Sequence, residues 1–308
     1  MNSQQKTLIT IVGPTAIGKT SLSILLANYF NTQIISCDSR QFYKEMRIGT
    51  AVPEAEELEA ATHYFIQNRS IFEDYNVGVF ERDALAKLDE LFKKNDVIIM
   101  VGGSGLYVDA VINGLDHFPK VDKSIRENLV NRLEKEGLTS LQNQLKKLDI
   151  ETYNTIAINN PQRVMRALEI CIGTGLSYAS FKNNPKKKRN FKSIKIGLNG
   201  DRQKIYNRIN LRVDLMIQNG LIEEAKQLHS NKDLNALQTV GYKELFSFFD
   251  GEITKEFAIE EIKKNTRRFA KRQLTWFRRD ENILWFDFEE DFLNIISNLE
   301  KKLTVFKE

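Results

Sequence analysis

The segment IVGPTAIGKTSLSILLA, residues 11–27, constrains this chain more than any other. Gly13, four residues, then Gly18, Lys19 and Thr20 make a complete Walker A loop, with apolar Leu8–Val12 before it and an apolar helix start after it. A strand, a glycine loop and a helix in that order gather backbone N–H groups and the positive end of a helix around one small volume. That volume suits a diphosphate held by Gly13, Pro14, Thr15, Ala16, Ile17, Gly18, Lys19 and Thr20. Lys19 would neutralise its oxygens, and the Thr20 hydroxyl would ligate Mg2+. An ordinary glycine turn would not need the Lys-Thr pair. The loop asks for a diphosphate, which need not belong to a nucleotide.

Around this loop the chain alternates strand and helix signals. Strands are expected at Leu8–Val12, Gln33–Ser36 and Val97–Val101, with helices over Lys19–Phe30 and near Val79–Lys94. This rhythm predicts a parallel sheet covered by helices, with ligands at the carboxyl ends of the strands. SCDSRQ and VGGSGLY fall at such ends. From about Gly114 to Lys182 the pattern turns helical, with Gly137 and Gly173 as stops and Pro161 opening PQRVMRALEICIGTG. FKSIKIGLNGD, residues 191–201, then reads as a returning strand. Helices are expected from about Arg202 to Glu224 and from Thr254 to Arg278, and ILWFDF as a last strand. The fold class is therefore α/β: a P-loop NTPase-like parallel sheet flanked by helices, with an inserted all-helical domain. Residues 1–113 and 183–308 form the core, and 114–182 the insertion.

At 308 residues, 42% hydrophobic and 28% charged, the composition is that of a soluble globular protein. No run of about 18 apolar residues occurs, and the polar start MNSQQK lacks signal-peptide character, so the expectation is a cytoplasmic protein with no membrane partner. Cys37 and Cys171 stand far apart and suggest reduced, half-buried thiols. His63, His117 and His229 have no metal-ligand spacing. The net charge of +4 is mild but uneven. KKNTRRFAKRQLTWFRR (263–279) and NNPKKKRNFK (183–192) are basic, whereas EAEELE (54–59) is acidic. A charge run alone is usually a solvated helix face. The first of these interleaves Phe269, Trp276 and Phe277 with arginines, a mixture suited to phosphate contact plus packing on a core or a base.

The chemistry is expected near Asp38. An ATP hydrolase would carry an acidic residue at the end of a later apolar strand, yet DVIIMVGGSG ends in glycines. The carboxylate instead follows the second strand, where it can take a proton from an attacking hydroxyl or amine, or serve only as a turn residue. Ser104 in GGSGLY offers a hydroxyl beside a turn that admits close backbone approach, or caps a helix. Arg208 and Arg212 share a helix face and can clamp a diphosphate, or make surface ion pairs. Arg163 and Arg166 likewise share a face, for gripping a nucleic-acid backbone or for solvating the insert. Trp276 and Trp285 read as core anchors.

GPTAIGKT, CDSRQFY, IGTAVP, GGSGLY, NNPQRVMRALEI, RVDLMIQNGLIEEA, VGYKE and RQLTWFRR, in this order, closely resemble the bacterial tRNA dimethylallyltransferases, from about residue 8 to 286. The resemblance implies transfer of a dimethylallyl group from dimethylallyl diphosphate to N6 of an adenosine beside the anticodon, with release of diphosphate and no use of ATP. It implies Asp38 as general base helped by Ser104, Lys19 and Arg212 offsetting charge on the leaving group, and Thr20 with Mg2+. It implies contacts to the tRNA anticodon stem-loop at Asp38, Ser39, Arg40, Gln41, Ser104, Arg126, Gln162, Arg163, Val164, Met165 and Arg166. The target base would enter a channel between core and insert.

Departures are few: Ser104 for a threonine, Ile17 for a small residue, and Val52 for the lysine of IGTAKP. The zinc finger of eukaryotic relatives is absent from the sequence. The rivals are a P-loop kinase for a small metabolite, a prenyltransferase acting on free adenine nucleotide, and a non-enzymatic RNA-binding module. A monomer is expected, since no sustained heptad seam appears.

Overall fold

An apolar run without polar alternation, such as LITIV, belongs in the middle of a sheet covered on both faces. The computed structural model, which describes residues 5–182 and 187–305, bears this out. Its first compact unit comprises Met1–Asn113 and Lys188–Glu308, and its second Gly114–Lys187.

The first unit opens with β1 (Thr7–Val12), α1 (Lys19–Tyr29), β2 (Ile34–Ser36), α2 (Ala55–Ala60), β3 (His63–Tyr64), α3 (Val77–Leu91), β4 (Val97–Val101) and α4 (Gly105–Asn113). The second unit holds α5 (Lys123–Glu136), α6 (Leu138–Leu148), α7 (Ile150–Thr155) and α8 (Pro161–Thr174). The chain returns through β5 (Lys192–Asn199), α9 (Arg202–Gln218), α10 (Leu221–Leu228), α11 (Tyr242–Phe249), α12 (Lys255–Phe277), β6 (Leu284–Asp287) and α13 (Phe292–Val305).

The sheet runs β3-β2-β4-β1-β5-β6, all parallel. β1 is buried at every residue, with Thr7 opposite Val97 on one side and Lys192 on the other. Alternate side chains feed different cores. Leu8, Ile98 and Met100 pack with Phe80, Ala84 and Leu88 of α3. Ile9, Ile11 and Ile196 pack with Leu22 and Leu26 of α1 and with Ile295 and Leu299 of α13. A third cluster, around Tyr43, Met46, Val213, Leu221, Tyr242 and Leu245, supports the loops at the carboxyl edge.

Several expectations change on the structure. One helix over 202–224 becomes two, because Gly220 takes a left-handed φ of +101° as the cap of α10. Gly173 does not stop α8: the helix runs to Thr174, and left-handed Gly175 caps it. Gly173 is small for another reason, since a Cβ there would collide with Val121. Both cysteines are buried, not half-buried. A further helix, α13, follows the last strand. Of the basic run at 183–192, residues 183–186 lie outside the described residues, while Arg189 is no solvated charge. It donates to Glu81 and to the carbonyls of Ala110 and Val111 at the end of α4.

The second unit has its own core of Leu129, Leu141, Leu145, Val164, Met165 and Leu168. Asp149 caps α7 through the Thr152 N–H and also accepts from the Ser177 hydroxyl and the Tyr178 N–H. No helix among the described residues is long and apolar enough to cross a membrane.

Candidate active site

The loop between β1 and α1 turns on left-handed backbone at Gly13, Ala16 and Gly18. A Cβ on Gly13 would stand 2.7 Å from the Leu198 carbonyl, so the loop passes β5 only as glycine. Ile17 points away from the loop interior into the core, which is why a larger residue fits there. The Lys19 ammonium donates to the Pro14 carbonyl at 2.7 Å. Arg208 and Arg212, one turn apart on α9, are not surface ion pairs. Arg208 Nε donates to the Ala16 carbonyl at 2.8 Å, and Arg212 Nη1 to the Thr15 hydroxyl at 3.3 Å.

These cations are short of counter-charge. Burial pulls the Lys19 ammonium down from its usual 10.5 to about 8, with Arg212 pushing the same way and Asp38 opposing. Burial likewise lowers Arg212, aided by Arg208 and opposed by Asp38 and Glu57. A polyanion would relieve both.

Asp38 follows β2, where Oδ1 accepts the Arg40 N–H in a tight turn. Ser104 opens α4, but its side chain does not cap the helix. Its hydroxyl accepts the Ser39 N–H at 3.2 Å and donates to the Ser39 hydroxyl at 3.1 Å. The glycines around it admit specific neighbours. A Cβ on Gly102 would meet Cys37 Sγ, one on Gly103 the Gln273 amide, and one on Gly105 the Trp276 indole. Trp276 donates to Asp109, and Phe277 lies in the core. One face of α12 is thus a wall of the site, through Phe269, Arg272, Gln273 and Trp276, while Arg268 and Lys271 remain exposed.

Two cavities meet at this point. One, of about 850 Å³, is lined by the loop residues Gly18, Lys19 and Thr20, by Val52 and by Arg208. The other, of about 640 Å³, is lined by Ser39, Arg40, Ser104, Phe269, Arg272 and Trp276. Thr15, Asp38, Thr50, Ala51, Arg212 and Met216 line both. All lining residues of these two cavities belong to the first unit. An anion on the loop and a nucleophile on the other side would confront each other across Asp38 and Arg212.

The family model described as IPP transferase matches residues 41–280. The chain belongs to that family. It is 60% identical over 302 residues to the tRNA dimethylallyltransferase of Flavobacterium psychrophilum, covering 96% of this chain and 98% of the relative. It is 63% identical over 296 residues to that of Christiangramia forsetii, with the same coverage. The full-length tRNA isopentenylpyrophosphate transferase of Bacillus halodurans superposes with a TM-score of 0.73 at 38% identity, covering 97% of each chain. A eukaryotic dimethylallyltransferase acting on tRNA superposes with a TM-score of 0.76 at 28% identity, over 92% of this chain and 74% of that one.

Other residues singled out in the sequence divide into those within reach of a ligand and those committed inside the protein. Arg40 donates to the carbonyls of Asn235 and Ala236. Gln41 spends its amide on the carbonyls of Thr50 and Ala51, shaping the wall. In the insert, Gln162 and Arg163 are exposed on the first turn of α8. Arg126 and Arg166 converge on Glu169, and Arg126 also reaches Gln162. Val164 and Met165, 0% and 1% exposed, are corrections: their side chains fill the insert's core and present nothing to an RNA.

Family spacing alone gave no role to Gln273, Glu224 or Tyr242. Glu224 accepts the N–H groups of Arg47, Ile48 and Gly49 and the Tyr242 hydroxyl, pinning the loop that lines both cavities. A Cβ on Gly49 would strike the Tyr242 ring at 2.6 Å. IGTAVP and VGYKE are therefore two halves of one contact.

No group of three or more His, Cys, Asp or Glu able to hold a metal occurs among the described residues. The Thr20 hydroxyl and the Asp38 carboxylate nonetheless line the same cavity. Oxygen donors so sparse fit Mg2+, which keeps its waters and leans on substrate phosphates, and do not fit a protein-caged cation.

Proposed function

We propose that this chain transfers the dimethylallyl group of dimethylallyl diphosphate to N6 of an adenosine beside the anticodon of tRNA, releasing diphosphate. The observation that carries this reading is the pair of cavities sharing Asp38 and Arg212, one cationic and loop-lined, the other open to an acceptor. The diphosphate sits on loop 13–20, where Lys19 exchanges the Pro14 carbonyl for phosphate oxygens. The adenine enters beside Ser39 and Ser104.

An exocyclic adenine amine is a weak nucleophile, so proton removal and leaving-group stabilisation are the terms that need help. N6 attacks C1 of the dimethylallyl group, the C1–O bond breaks, and its electron pair leaves on the diphosphate. Asp38 takes the N6 proton. Lys19 and Arg212 neutralise the departing oxygens, and Ser104 holds the segment that carries Asp38. Thr20 would hold Mg2+ together with the diphosphate, and the ion would supply further charge neutralisation for the leaving group.

The insert's Arg126, Gln162, Arg163 and Arg166 are proposed contacts to the anticodon stem-loop. A tRNA substrate assigns the enzyme to the cytoplasm, and a monomer suffices because one chain lines both cavities. Incubation with Mg2+, labelled dimethylallyl diphosphate and unmodified tRNA, without ATP, tests the reading against a parallel reaction on AMP. Label in tRNA alone is expected. Label in AMP would reassign the acceptor, and phosphoryl transfer from ATP to a small metabolite without any prenyl transfer would overturn the reading.

A further inference from the structure

Gln273 on α12 is 6% exposed and uses both ends of its amide. Its Oε1 accepts the Thr15 N–H at 2.9 Å, and its Nε2 donates to the Gly103 carbonyl at 3.0 Å. The two partners belong to different segments that line the same cavity. Thr15 belongs to the diphosphate loop and its hydroxyl accepts from Arg212. Gly103 immediately precedes Ser104, which fixes Ser39 next to Asp38. One donor and one acceptor face a side chain that offers one of each, so only this amide orientation satisfies both. The approach is also close enough that Gly103 has no room for a side chain.

We infer that Gln273 is a positioning residue for prenyl transfer, setting the distance between the diphosphate loop and the Asp38–Ser39–Ser104 segment where the acceptor amine reacts. This rests on the proposed function above. Two bound reactants gain rate from being held at contact distance, and a small misplacement by a residue that touches neither costs up to about 100-fold. A residue that merely stabilised the fold would lower the melting temperature and leave turnover of the folded enzyme alone. A positioning residue lowers kcat while each substrate still binds its own half of the site.

The substitutions follow from the two bonds. Gln273→Met keeps the length and removes both. Gln273→Glu keeps acceptance from Thr15, but when ionised sets a negative oxygen against the Gly103 carbonyl. Protonation restores the donor, and burial raises the carboxyl into reach of mild acid. Steady-state prenyl transfer to tRNA is measured for wild type and both variants across pH, with melting temperatures recorded. For folded Gln273→Met we expect kcat to fall about 10- to 100-fold with both KM values within about threefold of wild type. For Gln273→Glu we expect its kcat relative to wild type to climb as pH falls. Wild-type kcat in Gln273→Met, or a loss confined to KM, would overturn the inference. Should Gln273→Met fail to fold, a pH-independent ratio for Gln273→Glu overturns it as well. Absence of transfer by the wild type would instead overturn the functional reading, and this inference with it.

Discussion

The Ser104 hydroxyl donates to that of Ser39 at 3.1 Å and accepts its N–H at 3.2 Å, tying the end of β4 to the residue that follows Asp38. What the sequence offers as a helix cap serves instead as a brace between two strand ends. Ser104→Thr keeps the hydroxyl and should retain turnover within about threefold, whereas Ser104→Ala loses both bonds and should lower kcat by roughly 10-fold. Equal rates for Ser104→Ala and wild type would show that the brace contributes nothing to the reaction.

Lys19 gives donor binding a pH dependence whose sign can be worked out. In the free enzyme its ammonium is pulled down to about 8 by burial, so it is charged below that pH and neutral above it. A bound diphosphate favours the charged form and raises it again. Affinity for dimethylallyl diphosphate should therefore fall as pH rises through about 8, and binding at or above that pH should take up a proton. Calorimetry in two buffers of different ionisation enthalpy reads the uptake. It should vanish in Lys19→Met, and uptake unchanged in that variant would assign it to another group.

The insert has an acid-sensitive support in Asp149. Burial works against its ionised form, but the Thr152 N–H, the Ser177 hydroxyl and the Tyr178 N–H outweigh that and hold the carboxyl at about 2. A depressed carboxyl contributes its full stability above its ordinary value of 3.8 and loses it as pH falls toward 2. At neutral pH, Asp149→Ala should cost about 1–3 kcal/mol by denaturant unfolding, and the difference from wild type should narrow in acid. A difference that stayed constant down to strong acid would contradict this account.

Arg163 and Met165 stand two positions apart on α8 and should behave oppositely. Arg163 is exposed, while Met165 is fully packed. Arg163→Ala should weaken tRNA binding and reduce the slope of log affinity against log salt by about 1, leaving the melting temperature unchanged. Met165→Ala should lower the melting temperature of the insert. A salt slope unaffected by Arg163→Ala would remove that side chain from the tRNA contacts.

The parts of this site that were legible from the chain are those written in local spacing. The loop 13–20, the central strands and the placement of Asp38 and Ser104 at strand ends follow from residues within a turn or two of each other. Gln273 was not legible in that way, because its partner Thr15 lies 258 positions away and glutamine has no periodic signature. Glu224 was hidden likewise: it reads as one more charge on an amphipathic helix until α10 is laid against the loop at 47–49. The break at Gly220 is not legible in the sequence, because a glycine inside an apolar-periodic stretch is compatible with a continuous helix. A contiguous motif does not separate Val164 and Met165 from their exposed neighbours, although a helix turns successive residues to different faces.

The central claim is that Asp38 removes the amine proton at the junction of the two cavities. The direct measurement is single-turnover transfer of labelled dimethylallyl to saturating tRNA, without ATP, by wild type and by Asp38→Asn. Asp38→Asn should bind tRNA within a few-fold of wild type while its transfer rate falls about 100- to 10,000-fold. A transfer rate near wild type in Asp38→Asn would contradict proton removal by Asp38.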